Sequence, residues 1–353
     1  MSFSSERPDT AHVRRPALPA LSSTASIVAI AAMVLAVGTP GRAWQETAKP
    51  PARPPDVIPL AQVTPDARIS VTLAPGAVAT DDAVWVAAGS GVTRIDAKSN
   101  SSSPPVALPS PTCANLVVAF GSVWAPLCTA GTAGTAGTVA RVDVKTLAVT
   151  TPLTIRVADA AGRLATAVGS VWIASDATGV VSRVDPDTNE VVAEVHVARA
   201  PASVASGDEA LWVTSAEGDL VTRVNPHTNA VVDTAKVGPR PGHVAVGEGG
   251  VWTLNRGDGS VSRIDPATNK VVATIAVAGA EAGEIAVGAG AVWVSAPGLP
   301  LVRIDPKTNR ATQRFTGAGG GAVIVAHGSV WVAAGPALTW RLDPVLLATM
   351  RPE

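Results

Sequence analysis

The chain contains no tyrosine, three phenylalanines, two cysteines and five histidines among its 353 residues. Sugar-binding surfaces depend on exposed aromatic platforms, so this shortage argues against a sugar-binding protein. The two cysteines form no Cys-x-x-Cys pair, and with so few histidines we expect no zinc site. A formal net charge of −1 gives no long-range attraction to nucleic acid or to an anionic membrane surface, so no nucleic-acid partner is expected.

Glycine, proline and small aliphatic residues dominate the chain instead. It has 32 Gly and 29 Pro, and the 47% of its residues that are hydrophobic are mostly Val and Ala. Such a composition suits short strands joined by tight turns. The sequence therefore predicts many short strands rather than long amphipathic helices, in one large domain or two medium ones.

Residues 1–43 have the pattern of an export signal. Arginines precede the uncharged run "TASIVAIAAMVLAVG" (24–38), and small residues lead to a cleavage site after Ala43. The apolar run is shorter than the roughly 20 residues that a spanning helix needs, although an uncleaved anchor is the alternative. We therefore expect a periplasmic or secreted protein, with membrane contact only through this segment if it is retained.

A unit of about forty residues repeats along the rest of the chain, and such a period decides the fold. A tryptophan after a small or apolar residue occurs seven times, at Trp85, Trp124, Trp172, Trp212, Trp252, Trp293 and Trp331. An arginine followed by an apolar residue and Asp or Asn also occurs seven times, at Arg94, Arg141, Arg183, Arg223, Arg263, Arg303 and Arg341. The two markers alternate strictly, so each of them indicates seven units.

Each unit holds four strand-like runs separated by turn residues, as residues 242–277 illustrate. The turn "DPATN" joins the last two runs: Asp265 caps it, Pro266 presets the backbone angle, and Asn269 tolerates the left-handed conformation. Seven copies of one pattern cannot all be active sites. We therefore interpret the Arg-x-Asp-Pro motif as architecture.

Four antiparallel strands in each of seven units predict an all-β, seven-bladed β-propeller over residues 67–345. A linear β-solenoid is the alternative, but it usually has shorter rungs and needs caps. We expect "RISVTL" (68–73) to complete the last blade and close the ring, with "VLLATM" (345–350) as the competing segment. Residues 44–66 are assigned to a proline-rich linker and residues 346–353 to a C-terminal tail.

The two cysteines, Cys113 and Cys128, flank the hairpin "ANLVVAFGSVWAPL". If Phe120 and Gly121 form a two-residue turn, the cysteines face each other across adjacent strands. In an exported protein this favours a disulfide, worth roughly 3 kcal/mol by the loop-entropy model. Two unrelated buried thiols are the alternative.

The repeat also locates a ring of residues at the start of the innermost strands, where loops frame the mouth of the central channel. Its members are Ala77, Asn115, Arg163, Ser203, His243, Glu284 and Ala322. Five of these seven residues are polar, whereas the strand positions that follow are nearly all aliphatic. A second ring, three residues after each tryptophan, contributes Asn255.

We predict that six of these polar residues bind a ligand at the channel mouth: Asn115, Arg163, Ser203, His243, Asn255 and Glu284. The alternative is that polar side chains at a channel mouth are simply hydrated. For catalysis, the candidates for a base and its orienting partner, or for a metal-ligand pair, are His243 and Glu284. No triad spacing, phosphate loop or clustered carboxylates accompany them, so we assign no catalytic residue, metal site or cofactor.

Units such as "GGVWTLNRGDGSVSRIDPATNKVVATIAV" closely resemble the YVTN-type repeats of YncE-like β-propellers over residues 67–344. The resemblance implies an exported seven-bladed propeller that serves as a binding or interaction scaffold. The chain is also similar, more distantly, to propellers of the virginiamycin B lyase type, which implies magnesium and His and acidic residues at the channel mouth. Only His243 and Glu284 occupy comparable places here, and "TLN", "VTS" and "VSA" lack the acidic residue common in lyase-type repeats.

From these observations we expect a monomeric, exported and non-enzymatic propeller that binds a protein partner or a small ligand at its channel mouth. The alternative function is a magnesium-assisted lyase or hydrolase of the streptogramin-lyase type.

Overall fold

The computed structural model describes residues 53–112, 115–127, 138–153, 163–176 and 178–352. Seven small antiparallel sheets of four strands form a ring, which confirms the predicted seven-bladed β-propeller. In each blade the first strand is innermost, because the first strands of neighbouring blades contact one another. No helix within the described ranges is long and apolar enough to span a bilayer.

The strands are numbered in chain order. The two that precede the blades are β1 (Asp56–Pro59) and β2 (Ala67–Ile69). Blade 1 consists of β3 (Val78–Ala79), β4 (Ala83–Ala87), β5 (Gly91–Asp96) and β6 (Val106–Ala107). Blade 2 consists of β7 (Val117–Ala119), β8 (Ser122–Leu127), β9 (Thr138–Asp143) and β10 (Val149–Leu153). Blade 3 consists of β11 (Leu164–Ala167), β12 (Ser170–Asp176), β13 (Val180–Val184) and β14 (Val191–His196).

Blades 4 and 5 consist of β15 (Pro201–Gly207), β16 (Ala210–Ser215), β17 (Leu220–Asn225), β18 (Ala230–Lys236); and β19 (Pro241–Gly247), β20 (Gly250–Asn255), β21 (Ser260–Asp265), β22 (Lys270–Ala276). Blade 6 consists of β23 (Glu284–Gly288), β24 (Ala291–Ala296), β25 (Leu299–Asp305) and β26 (Arg310–Thr316). Blade 7 consists of β27 (Val323–Ala326), β28 (Ser329–Gly335) and β29 (Leu338–Leu342), with β2 as its fourth strand. A one-turn 3-10 helix (Leu60–Gln62) and helix α1 (Pro344–Thr349) complete the elements.

The ring is closed by an N-terminal strand, as predicted. Strand β2 pairs antiparallel with β29 and becomes the outermost strand of blade 7, with Ala67 opposite Arg341 and Ile69 opposite Thr339. The Thr339 hydroxyl adds a 2.6 Å bond to the carbonyl of Val71. The competing segment is helical instead and forms most of α1.

Two stretches assigned to a linker and a tail are partly packed against the ring. Strand β1 adds a parallel fifth strand to blade 6, where Ile58 is fully buried. Leu347 of α1 is equally buried, and the Gln313 amide donates to its carbonyl at 2.6 Å. The apolar residues of these stretches pack against the ring in spite of the prolines, because Pro59 lies at the end of β1 on the sheet edge, where proline is tolerated.

The repeated tryptophan and arginine face each other within every blade. In blade 5, for example, Trp252 lies opposite Arg263 on the neighbouring strand, and the guanidinium sits 5.0 Å from the ring centroid. All seven repeat tryptophans are fully buried. Each tryptophan ring thus fills the layer between blades, and in blades 2 to 7 it also provides a face on which the arginine stacks.

The same arginine also fastens its blade to the next one. Nη1 of Arg263 donates to the carbonyl of Pro306 at 2.7 Å and to Oδ1 of Asn309 at 2.8 Å, both in the turn of blade 6. We call this contact the latch. Equivalent latches start from Arg141, Arg183, Arg223 and Arg341.

The turn residues have the roles that the repeat predicts. Oδ1 of Asp265 accepts the backbone N–H of Ala267 at 2.8 Å, and Asn269 adopts a φ of 57°. Left-handed backbone is readily tolerated by asparagine. The motif is therefore architecture: one blade supplies the arginine, and the next supplies a turn that presents a carbonyl and an amide oxygen.

Two interfaces lack the latch in the part of the chain that the structure describes. At the blade 1 to blade 2 interface, Arg94 instead pairs with Asp82 at 2.7 Å, and Leu147 occupies the asparagine position of the next turn. At the blade 6 to blade 7 interface, α1 replaces the turn, and Arg303 donates to Thr312 of its own blade at 3.1 Å.

The predicted disulfide residues, Cys113 and Cys128, lie outside the described residues, so their pairing stays a prediction. Near its turn the hairpin between them has the expected register, with Val117 opposite Trp124. Farther from the turn Thr112 bridges Leu127, a pair shifted by two residues from that register. Its turn residues Phe120 and Gly121 both have left-handed φ angles, of 53° and 70°. The two-residue turn is therefore confirmed.

We expect Arg263→Met to lower the free energy of unfolding by about 2–3 kcal/mol in urea denaturation, because it removes charged hydrogen bonds and a cation–π contact. Arg303→Met is the matched control and should cost clearly less, since Arg303 makes no latch. Equal losses in the two variants would show that the latch does not hold the blades together.

Candidate functional site

The predicted ring residues lie at the start of the innermost strands, as the repeat indicated. His243 and Ser203 lie in β19 and β15, Glu284 begins β23, and Asn115 and Arg163 lie just before β7 and β11. The ring is less hydrated than the alternative interpretation assumed. His243 is only 4% exposed, Glu284 5% and Ser203 3%.

Two ring residues join neighbouring innermost strands. The Asn115 amide accepts the N–H of Leu164 at 2.8 Å and donates to the carbonyl of the same residue at 2.9 Å. Oγ of Ser203 accepts the N–H of Val244 at 3.5 Å. These contacts give Asn115 and Ser203 a structural role between blades 2 and 3 and between blades 4 and 5.

Glu284 joins more distant parts of the ring. Its Oε1 accepts the N–H of Gly76 at 2.7 Å, just before blade 1, and its Oε2 accepts the N–H of Val323 in blade 7 at 3.4 Å. Gly76 has a φ of +77°, and a Cβ there would collide with the backbone of Asn115. Glycine is therefore required for this close approach.

Arg163 and His243 reach Glu284 from blades 3 and 5. Nη1 of Arg163 lies 3.7 Å from Oε1 of Glu284, and Nδ1 of His243 lies 3.8 Å from the same oxygen. The first is an ion-pair distance, and neither contact is short enough for a hydrogen bond. The structure thus brings together three of the six predicted residues, Arg163, His243 and Glu284, and their role in binding stays a prediction.

Arg256 is a further member that the sequence analysis missed. It follows β20 in the loop to β21, and its Nη2 lies 2.7 Å from Nε2 of His243. A Cβ on Gly242 would lie 2.5 Å from Nε of Arg256, so the arginine side chain passes over the backbone at a point where any residue but glycine would block it. We call Arg163, His243, Arg256 and Glu284 the mouth cluster.

Two guanidinium groups share one nitrogen of His243. Nη2 of Arg163 lies 2.9 Å from Nε2, and Nη2 of Arg256 lies 2.7 Å from it. Arginine only donates, so Nε2 must be the unprotonated nitrogen and Nδ1 carries the hydrogen. The single lone pair of Nε2 accepts one good hydrogen bond, so one of the two guanidinium N–H groups that face it has no acceptor of its own.

The electrostatics agree with a neutral imidazole. Burial, reinforced by Arg163 and Arg256, holds the pKa of His243 well below its ordinary value of 6.5. Burial raises the pKa of Glu284, against the opposing effect of Arg163 and of the N–H groups of Gly76 and Val323. The cluster therefore holds two guanidiniums and at most one negative charge.

The structure does not direct Asn255 toward the mouth cluster. Asn255 is fully buried, and its amide donates to Oγ of Ser260 and of Ser262, both at 2.9 Å, on the next strand of its own blade. It braces β20 against β21. This contact gives the residue a structural role.

The mouth cluster is a poor match for magnesium. Mg²⁺ prefers an octahedral shell of oxygen ligands. The cluster offers one carboxylate, already bonded to two backbone N–H groups, and an imidazole whose Nε2 faces two arginines. Within the described ranges there is also no group of three or more His, Cys, Asp or Glu side chains arranged to hold a metal ion.

Comparison with known proteins supports the fold alone. No protein-family model and no curated protein matches the sequence. A chain in the crystal structure of the mitotic checkpoint complex is similar, with a TM-score of 0.62 and 13% identity over 80% of this chain and 94% of that one. In all, 1471 chains of solved structures match, so the fold is too widespread to indicate a function.

A chain of Kuenenia stuttgartiensis hydrazine synthase is also similar, with a TM-score of 0.44 and 17% identity over 49% of this chain. This chain spans 55% of the length of that one. A similarity this low carries no functional argument.

The buried His243 should make stability depend on pH. The unfolded chain binds a proton on this residue below about pH 6.5, whereas the folded chain does not, so the free energy of unfolding falls as the pH drops through that value. The expected slope is at most about 1.4 kcal/mol per pH unit. In His243→Gln, measured by urea denaturation between pH 7.5 and about 5, this contribution should vanish.

Glu284 acts in the opposite direction, because a raised pKa favours the folded state at lower pH, but it is present in both proteins and largely cancels in the difference. Exposed His227, replaced in the same way, is the control. Identical pH profiles for the wild type and His243→Gln would contradict a buried neutral imidazole.

Proposed function

We propose that this protein is an exported, non-enzymatic propeller scaffold that binds a small anionic ligand, of the carboxylate class, at the mouth of its central channel. The observation that carries the proposal is the pair of guanidinium groups that face a single lone pair on His243. A carboxylate has two oxygens and would give each guanidinium an acceptor of its own.

The charge of the mouth cluster favours the same ligand. Even with Glu284 ionised, Arg163 and Arg256 leave one positive charge in excess, next to an almost fully buried imidazole. The side chains of Arg163 and Glu284 are only 16% and 7% exposed, so an anion beside them is screened less than at a fully exposed site. Arg256 is exposed, which gives a ligand access to the cluster from solvent.

The non-enzymatic part of the proposal rests on the chemistry of the cluster. His243 offers Nε2 to two cations rather than to a substrate, and Glu284 is committed to backbone N–H groups. The donor set disfavours the magnesium that the lyase alternative requires. Export is inferred from the signal-like residues 1–43, and the scaffold role from the YVTN-type repeat.

Isothermal titration with acetate, malonate and succinate, at ionic strength held constant with chloride, tests the proposal. We expect saturable binding of at least one carboxylate, and none of acetamide or succinamide. Arg256→Gln should weaken binding at least tenfold, because one of the two guanidiniums is lost.

Arg199→Gln is the matched control, since Arg199 is 73% exposed and, in the described part of the chain, pairs only with the exposed Glu217, at 3.6 Å. Its affinity should equal that of the wild type. The proposal fails if no carboxylate binds, or if Arg256→Gln and Arg199→Gln bind equally well.

A further inference from the structure

The interface between blades 6 and 7 leaves a repeat arginine without its usual acceptors. In five other interfaces the latch gives this arginine a turn carbonyl from the next blade, usually with an asparagine oxygen. Arg303 lines a cavity with α1 instead and, among the described residues, donates only to the Thr312 hydroxyl of its own blade. Its stacking distance on Trp293, 6.0 Å, is also longer than in the other stacked blades.

A cavity of about 350 Å³ occupies this place. It lies between the start of β1, the turn that joins β25 to β26, and the end of α1. The charged residues of its wall are Arg53, Arg303, Arg310, Arg351, Asp56 and Asp305. Four guanidiniums against two carboxylates leave two positive charges in excess.

Both carboxylates of the wall already have partners. Asp56 pairs with Arg53 at 2.9 Å and with Arg351 at 3.9 Å, and Oδ1 of Asp305 accepts the backbone N–H of Lys307 at 2.8 Å. Within the described part of the chain, the half-buried guanidinium of Arg310 has no hydrogen-bond or ion-pair partner. Because Asp56 pairs with Arg53 and Arg351, Arg303 and Arg310 are the two guanidiniums of this wall that pair with no carboxylate in the described part of the chain.

We propose that this cavity binds a doubly charged tetrahedral oxyanion of the phosphate class, held chiefly by Arg303 and Arg310. The two negative charges match the excess, and the oxyanion's oxygens replace the carbonyl and amide oxygens of the missing latch. Guanidinium forks suit phosphate oxygens because they donate two hydrogen bonds in a fixed plane. The exposed Thr308 hydroxyl at the cavity wall adds a further donor.

The position of the cavity gives the anion a structural consequence. Arg53 precedes β1 and Arg351 follows α1, so the ligand would contact both the N-terminal and the C-terminal segments that pack on blade 6. Binding to the folded state alone stabilises it by mass action. Phosphate should therefore slow amide hydrogen exchange in β1 and α1 in particular.

Isothermal titration of the full chain with inorganic phosphate and with sulfate tests the proposal, at ionic strength held constant with chloride. We expect saturable binding of both dianions, at least tenfold weaker in Arg303→Gln and in Arg310→Gln. Arg314→Gln is the matched control, because Arg314 lies on the same strand, outside the cavity, and donates to Ala278 at 2.9 Å. It should bind as the wild type does.

Hydrogen exchange with and without phosphate locates the ion even if a variant is destabilised. Protection confined to β1, the β25–β26 turn and α1 supports the cavity. The proposal is overturned if phosphate acts no differently from chloride, or if Arg310→Gln and Arg314→Gln respond alike, which would mean an adventitious ion only. It is also overturned if Arg256→Gln abolishes phosphate binding while Arg310→Gln retains it, because the ion would then occupy the mouth cluster.

Discussion

One guanidinium at each latched interface, stacked on the buried tryptophan of its own blade and bonded to the turn of the next, fixes the geometry of this propeller. The stacking is possible because tryptophan and arginine lie opposite each other on adjacent strands. The bond to the next blade requires a turn that exposes one carbonyl and holds an asparagine in left-handed backbone. Together they set the spacing and rotation between blades, and hence which side chains meet at the channel.

The channel mouth depends on that geometry. Glu284 receives N–H groups from the segment before blade 1 and from blade 7, while Arg163 and His243 approach from blades 3 and 5. Such a cluster braces the ring across its centre, but a fully neutral set of groups would do so at lower electrostatic cost. The excess of cationic donors over acceptors is the feature on which the proposed anion site rests.

The sequence alone was enough to predict the structural features that repeat. The period predicts the number of blades, the closing segment and the positions of Arg163, His243 and Glu284, because each unit repeats the same local physics. Sequence alone did not reveal Arg256. Its role depends on how far its side chain extends across Gly242, although it is the only arginine in any loop between the second and third strands.

The features that do not repeat were also missed. Strand β1 pairs in parallel with a strand more than 250 residues away, a partner that no local pattern identifies. Helix α1 replaces a turn because Asp343 caps it, accepting the N–H of Val345 at 2.8 Å. Asn255 was assigned to the channel from its spacing after Trp252, but its burial is decided by the serines on the next strand.

The most direct test of an anion site at the channel mouth is diffraction from crystals soaked in malonate. We expect an ordered malonate carboxylate within hydrogen-bond reach of both Arg163 and Arg256 in the wild type, and no ligand density there in Arg256→Gln crystals soaked identically. Malonate found only on the outer surface, with the two guanidiniums still sharing His243, would contradict the proposed site.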